Sequence, residues 1–331
     1  MKYQVYGIGN ALVDAEFEVS DKFLADNDIE KGLMTLIDEG QQESLVANLN
    51  QQFGLKKRAG GGSAANTLVS ISQLGGDTFY ACKVADDDSG NFYMKDLAAA
   101  GVDTKLEQVK GEGVTGQCTV MVTDDAERTM NTFLGITADF SESELHFDEL
   151  KNSEYIYIEG YLVTSDVSRQ AAINARQVAK ENNVKTAFTF SDPAMVTYFK
   201  EGVSEIIADG VDVLFSNEEE ALTYSDKSNL EDAISELLKI TDKLVITLGS
   251  KGARVVTANS DVNIASVAVD AIDTNGAGDM FAGAFMYGLT HGMSDQQAGN
   301  LASESAANIV TVFGARLDKQ AQLDILAKHQ S

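Results

Sequence analysis

The chain has 331 residues, 44% of them hydrophobic, enough for one large domain or a large one with a smaller attachment. Lys plus Arg number 25 against 51 Asp plus Glu, a formal charge of −26, and a field of that sign repels nucleic acid and anionic membrane surfaces. The acids are scattered rather than gathered in a tail, no basic region leads into a long apolar run at the start, and no run of about 18 apolar residues occurs, so a cytoplasmic protein with a solvated acidic surface is expected. Cys82 and Cys118 fit no C-x-x-C spacing, and His146, His291 and His329 stand singly; neither a zinc site nor a catalytic Cys/His pair is expected.

In chain order, the opening GIGNALVD (7–14) reads as a first strand ending near an aspartate. AEFEVSD (15–21) and GLMTLID (32–38) have strand propensity with no long helix between them. TGQCTVMVT (115–123) and ERTMNTFLG (127–135) make a second such pair, and the two pairs predict a small separate sheet built from two excursions, 14–45 and 113–135. Residues 1–13, 46–112 and 136–331 then form the large unit; the alternative places the same strands at the edge of the main sheet. GGGSAANTLVSISQLGG (60–76) predicts a helix capped by Ser63, with Ala64, Leu68, Ile71 and Leu74 as its apolar stripe and its end at Gly75. That turn serves either close strand-to-helix packing or a substrate, to which Asn66 offers both donor and acceptor. GEGVTG (111–116) matches G-x-G-x-x-G in letters, but a strand-like run follows it, so it is read as a loop.

From YIYIEG (155–160) onward strands and helices alternate. A helix near 168–182 leads to VKTAFTF (184–190), and VDVLFS (211–216) with a helix near 229–241 leads to KLVITLG (243–249). Strand, helix, strand at this spacing predicts right-handed crossovers, hence a mostly parallel sheet covered on both faces, with ligands at the carboxyl ends of its strands. NEEEALTYSD (217–226) reads, on its own, as an ordinary acidic first helical turn.

DTNGAGDMFAGAF (273–285) carries the strongest signal. Gly276 and Gly278 permit a turn whose N–H groups converge, and the helix carrying Met280, Phe281, Ala284 and Phe285 aligns a dipole behind it, so an oxyanion fits there. Asp279 at its mouth is either a helix cap or a proton acceptor; since Asp273 can serve structure alone, a second acid is left facing the anion site.

GGGSAANTLVSISQLGG and DTNGAGDMFAGAF resemble the two signature regions of the ribokinase-like (PfkB) family of carbohydrate and nucleoside kinases, and the likeness extends in order through GIGNALVD, NEEEA and TLGSKGA (247–253). GIGNALVD and GGSAAN are similar to the adenosine kinase branch. The resemblance implies a three-layer α/β sandwich with a mostly parallel central sheet and a small β-sheet lid, and an ATP-dependent kinase with Mg2+. It places the base on Asp279 and the anion hole on Gly276, Ala277 and Gly278, and the acceptor on Asp14, Gly61, Gly62, Ser63 and Asn66. Asn217 and Glu220 would organise metal-bound water, while Thr247, Gly249, Lys251 and Gly252, with Arg254 nearby, would lie on the nucleotide side. Asn308 is assigned either to the adenine or to buried helix packing, and Arg128 either to the phosphates on lid closure or to an idle surface. The family often holds a monovalent cation such as K+, and the matching positions are Asp273, Asn275, Ile309, Val312 and Gly314.

The expected acceptor is a small nucleoside or sugar, adenosine first, with ribose, fructose or 2-keto-3-deoxygluconate as alternatives, and Leu12, Leu134 and Tyr161 as candidate pocket walls. A nicotinamide-dependent oxidoreductase would need a third glycine after the first strand, which GIGNALVD lacks. A regulator that binds nucleotide without turnover would not need Asp279 beside its glycines. Monomer and homodimer both remain open.

Overall fold

The computed structural model describes residues 1–108 and 111–329; Val109, Lys110, Gln330 and Ser331, which the sequence assigns to the large unit, lie outside the described residues. In chain order the strands are β1 (Tyr3–Ile8), β2 (Leu12–Glu18), β3 (Met34–Leu36), β4 (Lys57–Gly61), β5 (Thr78–Ala81), β6 (Gly116–Val122), β7 (Arg128–Phe133), β8 (Ser153–Glu159), β9 (Lys185–Thr189), β10 (Val211–Asn217), β11 (Thr241–Thr247), β12 (Ala253–Thr257) and β13 (Ser260–Ile264). The large sheet runs β13-β12-β11-β10-β9-β8-β1-β5; it is parallel from β11 to β5, and β12 and β13 form an antiparallel edge.

Alternation along these strands splits the interior into two cores, one on each face of the sheet. Tyr155 and Tyr157 of β8, Val213 and Phe215 of β10 and Val245 of β11 face one core, packed with the helices Ser63–Gln73, Ala277–Thr290 and Asp295–Ile309. Ile156, Ile158, Leu214, Leu244 and Ile246 face the other, packed with Asp166–Glu181 and Lys200–Ile207. Strands apolar on both faces are what a covered parallel sheet requires, and the result is the expected three-layer α/β sandwich.

The second sheet, β3-β7-β6-β2-β4, is separate from the first, as the strand pairs in the two excursions predict. It also takes in β4, which the sequence assigns to the large unit. The signal there is weak because KRAGG carries little strand propensity; what recruits it is antiparallel pairing to β2, in which Asp14 faces Ala59 and Leu12 faces Gly61. Gly61 has to be glycine, since a Cβ there would overlap the Asp14 carboxylate.

Helix Ser63–Gln73 corrects one expectation. Ala64, Leu68, Ile71 and Leu74 are buried as predicted, but so is every other residue of the helix, because both sheets and the helix Ala277–Thr290 close around it. Its N-cap is Gly62 at φ +93°, with no side-chain cap, and Ser63 is already inside the first turn. Among the described residues, no helix is long and apolar enough to cross a membrane.

Candidate active site

A cleft of about 800 Å³ lies between the two sheets, walled by the carboxyl ends of β8 to β11, the glycine turn before Ala277–Thr290, and the inner face of the small sheet. It gathers most of the predicted site: Asp14, Gly62, Ser63, Asn66, Asn217, Glu220, Thr247, Gly249, Gly252, Asn275, Gly276, Ala277, Gly278 and Asp279 all line it.

The glycine turn has a defined geometry. Gly276 sits at φ +74° with its Cα against Ala315, where a Cβ would come within 2.6 Å of that residue's Cα; the position admits only glycine. Gly276 is the N-cap, so no side chain caps the helix. The Ala277 amide closes a turn to the Thr274 carbonyl at 3.3 Å, while the Gly278 and Asp279 amides donate to no described group. A Cβ on Gly278 would meet nothing within 4 Å, so those amides look into open cleft. A helix N-terminus with unclaimed N–H groups suits an anion.

Asp279 does not cap its own helix. Its Oδ1 accepts from Ser63 Oγ at 2.7 Å and its Oδ2 from Asn66 Nδ2 at 3.0 Å. Behind Asn66 stands Arg316, whose Nε donates to Asn66 Oδ1 at 2.8 Å and whose guanidinium is paired with Asp96. An arginine nitrogen can only donate, so the Asn66 oxygen is pinned toward Arg316 and its amide nitrogen toward the carboxylate. Burial pushes the Asp279 carboxyl above the usual range, against the two hydrogen bonds and the charges of Arg128 and Arg316. Ser63 and Asn66, predicted to hold the acceptor, thus engage the Asp279 carboxylate, and Arg316 joins them from 250 residues away with no local signal to announce it.

At the small-sheet end, no described group donates to the Asp14 carboxylate; burial pushes its pKa well up, neighbouring Glu16 adds to the shift, and Arg316 opposes it. Gly61 lies behind Asp14 rather than in the cleft. Leu12, Met34, Met130 and Leu134 supply an apolar wall, and Tyr161 faces the cleft too. Arg128 also lines it: burial works against its charge, but the fields of Tyr161, Asp192 and Asp279 outweigh that and raise its pKa. Its guanidinium thus carries its charge at the cleft wall.

Glu159 is a wall residue that sequence reasoning missed. At the carboxyl end of β8 it is fully buried and accepts from the amides of Asn10 (2.6 Å) and Ala64 (2.8 Å), tying the β1–β2 turn to the first turn of Ser63–Gln73. Burial pushes its pKa up to about 8 although the two amides oppose the shift.

On the nucleotide side, Asn217 and Glu220 form a reciprocal capping box: Glu220 N–H donates to Asn217 Oδ1 and Asn217 N–H to Glu220 Oε2, both at 2.8 Å. Burial pushes Glu220 up to about 8, with Asp192 adding to the shift, so a cation arriving there would relieve a real cost. The two residues suit Mg2+, a hard ion held through one or two carboxylates and its own waters, whereas no cluster of three or more His, Cys, Asp or Glu stands ready among the described residues. Gly252, at φ +98°, would drive a Cβ into the Ile264 carbonyl, and Gly249 is open.

Three expected residues lie elsewhere. Lys251 is exposed and pairs with Glu218 at 3.3 Å; Arg254 is held between Glu231 of the helix Leu230–Leu237 and Asp261 of β13; Asn308 is half-buried and donates to the Glu304 carbonyl one turn back in its own helix. The proposed monovalent-cation positions meet below the anion turn. Asp273 is fully buried and accepts from Asn275 N–H and Gly314 N–H, each at 2.8 Å, and the Ile309 carbonyl accepts from Val312 N–H at 3.1 Å.

Comparison with known proteins agrees with the fold. A family model described as pfkB family carbohydrate kinase matches residues 34–322. Adenosine kinase from Saccharomyces cerevisiae is 29% identical over 304 residues, 86% of this chain and 88% of that protein. The solved adenosine kinase of Sinorhizobium meliloti superposes with a TM-score of 0.93 at 32% identity over the whole of both chains. A probable sugar kinase from Rhizobium etli gives 0.93 at 28% identity over 99% of each.

Proposed function

We propose, from the premise that the chain belongs to the pfkB family of carbohydrate kinases, that it transfers the γ-phosphate of ATP to a hydroxyl of a nucleoside, adenosine first. Membership makes it a phosphotransferase with an alcohol acceptor, a sugar or nucleoside kinase. The observation that carries the finer reading is the meeting, in one cleft, of the Asp279 carboxylate and the unclaimed amides of Gly278 and Asp279.

Phosphoryl transfer asks a protein for alignment and for stabilisation of the charge that spreads over the transferred group's oxygens. The γ-phosphate would lie on the Gly278 and Asp279 amides, with Arg128 closing on it from the small sheet. Asp14 would accept from vicinal hydroxyls, which draw it back toward its charged form. The acceptor hydroxyl would replace Ser63 on Asp279 Oδ1, lose its proton to that oxygen, and form the new O–P bond as the bond to ADP breaks; ADP leaves with the electron pair. Asn217 and Glu220 would hold Mg2+ through its waters, and the ion would neutralise phosphate charge there.

The small sheet favours a nucleoside over a bare sugar. Leu12, Met34, Met130 and Leu134 face the cleft, and a free pentose or hexose, polar all round, would leave that wall unused. A purine has apolar faces that suit thioether and aliphatic partners.

The test is ADP release with adenosine, inosine, ribose, fructose and 2-keto-3-deoxygluconate offered in turn. Adenosine is expected to give the highest kcat/KM, and ADP without acceptor should be slow, because a closed cleft keeps water from taking the phosphoryl group. A sugar that beats adenosine removes the nucleoside reading, and silence across the panel leaves a nucleotide-binding regulator.

A further inference from the structure

We propose that Arg316 is a positioning residue for phosphoryl transfer: by claiming the Asn66 oxygen it fixes which way that amide faces, and so keeps Oδ1 of Asp279 as the oxygen that receives the acceptor's proton. The proposal rests on the kinase reading above.

An asparagine amide has nearly the same shape either way round, and a half-turn about its last bond exchanges donor for acceptor. Facing Asp279 with its nitrogen, Asn66 holds Oδ2 at 3.0 Å and leaves Oδ1 to Ser63, the partner that an acceptor hydroxyl would replace. Turned over, Asn66 would set its own oxygen beside Oδ2. That contact favours a protonated Oδ2, and a carboxyl already holding a proton cannot take the one the acceptor must lose. The group behind the amide decides between the two orientations. Arg316 Nε, which can only donate, lies 2.8 Å from Asn66 Oδ1, so a turned-over amide would meet it donor against donor.

Arg316 itself is held from three directions. On one side of it in the chain, Ala315 carries Gly276 of the anion turn, where a Cβ would strike the Ala315 Cα. On the other, the Leu317 carbonyl accepts from Gln73 Nε2 at 3.0 Å, at the far end of the helix that bears Ser63 and Asn66. The guanidinium pairs with Asp96 of the helix Asp88–Ala100, and Gly60 makes room for that pair, since a Cβ there would overlap the Asp96 carboxylate. The Arg316 side chain is 9% exposed, yet its Nη2 is buried with no hydrogen-bond partner among the described residues. A buried pair that leaves a donor unsatisfied is a poor device for stability alone. The other charged or titratable groups around Asp279 are Arg128 from the small sheet, Asp14, Tyr157, Glu159 and Tyr161. Loss of Arg316 therefore removes both the lock on Asn66 and a cation facing the Asp279 carboxylate.

The experiment is a double-mutant cycle in kcat for adenosine-dependent ADP release, read on the pH plateau and well below melting, with the wild type, Arg316→Met, Asn66→Ala and the two together. Arg316→Met alone should lose about thirtyfold or more; in the Asn66→Ala background, which has no amide to orient, the same change should lose less than about threefold. A loss at least about ten times larger with Asn66 present supports the proposal, and a smaller ratio overturns it, because an arginine that only braces the fold acts alike in both backgrounds. If Arg316→Met does not fold, Asp96→Leu is combined with it, since replacing both halves of a buried pair by apolar groups is commonly neutral or stabilising, and the same ratio decides. Absence of ADP from the wild type with every acceptor would defeat the kinase reading instead. Arg316 is then judged without turnover, by carbon NMR of aspartate labelled with 13C at the carboxyl, the Asp279 signal being the one lost in Asp279→Asn. That signal should titrate about one pH unit higher in Arg316→Met than in the wild type, and a titration that does not move overturns the proposal.

Discussion

Glu220 and Asp279 hold the same place on two helices, the third residue of the first turn, and line the same cleft, yet one is tied into its own helix and the other is released from it. The difference is the residue three positions earlier. Asn217 offers an amide side chain, so Glu220 is drawn into a reciprocal capping box. Gly276 offers none, so the Asp279 carboxylate turns across to Ser63 and Asn66, and the Gly278 and Asp279 amides are left uncapped. In these two helices, whether the acid is tied to its own helix or free to reach across the cleft follows from whether a cap partner exists.

The largest effect should come from the released acid. Asp279→Asn keeps the shape but can neither take a proton nor face two donors, and kcat should fall by about 10³ or more, within the range expected for losing a general base. ATP affinity, which rests on backbone amides, should change less than about threefold by calorimetry. Because burial lifts the Asp279 carboxyl and only its ionised form accepts a proton, wild-type kcat/KM should fall on the acid side at a pH above the ordinary carboxylate range near 4, and the variant should lack that limb. Unchanged turnover in Asp279→Asn would place the base elsewhere.

The capped acid should respond more mildly. Glutamine at the third position preserves a capping box, so Glu220→Gln should melt within about 2 °C of the wild type while KM for Mg·ATP rises roughly tenfold. Asn217→Ala, which strips the cap as well as one metal-side group, should lose about 1 kcal/mol of stability, with kcat within about tenfold. If it melted with Glu220→Gln, the capping role of Asn217 would be wrong.

How much of this was legible follows from how local each signal is. The turn Gly276–Asp279 could be read because glycines, acid and apolar helix are contiguous, and the apolar strands β8, β10 and β11 because burial on both faces leaves unbroken runs. Ser63 was misread as a cap because the rule concerns side chain and helix alone, whereas its hydroxyl is claimed by Asp279, 216 residues on. Arg316 and Glu159 carried no motif; each matters through a partner 95 to 250 residues away, fixed by packing of the two sheets around Ser63–Gln73. Lys251 and Arg254 sit in the right sequence neighbourhood, but nearby acids on the outer surface claim them. β4 needed its partner strand to exist before a stretch of glycines could extend.

The smallest effect extends the comparison to a third acid, Glu159, which binds a helix start from outside the helix. Its pKa of about 8 in the fold lies above the ordinary glutamate value of about 4.3, so between those limits the folded state holds a proton that the unfolded chain has released. Stability from this group is fully present below about pH 4.3, and declines as pH rises toward 8 by at most about 1.4 kcal/mol per pH unit. Glu16 and Glu220 shift in the same direction, so the slope of the wild type alone cannot isolate Glu159. The difference between wild type and Glu159→Gln can: glutamine does not titrate, and it presents one acceptor where the amides of Asn10 and Ala64 need two. The variant should melt below the wild type throughout, with the gap widest near pH 5 and narrowing toward pH 8. A gap that stays constant across that window would mean that Glu159 is ionised in the fold, held as an anion by the two amides alone.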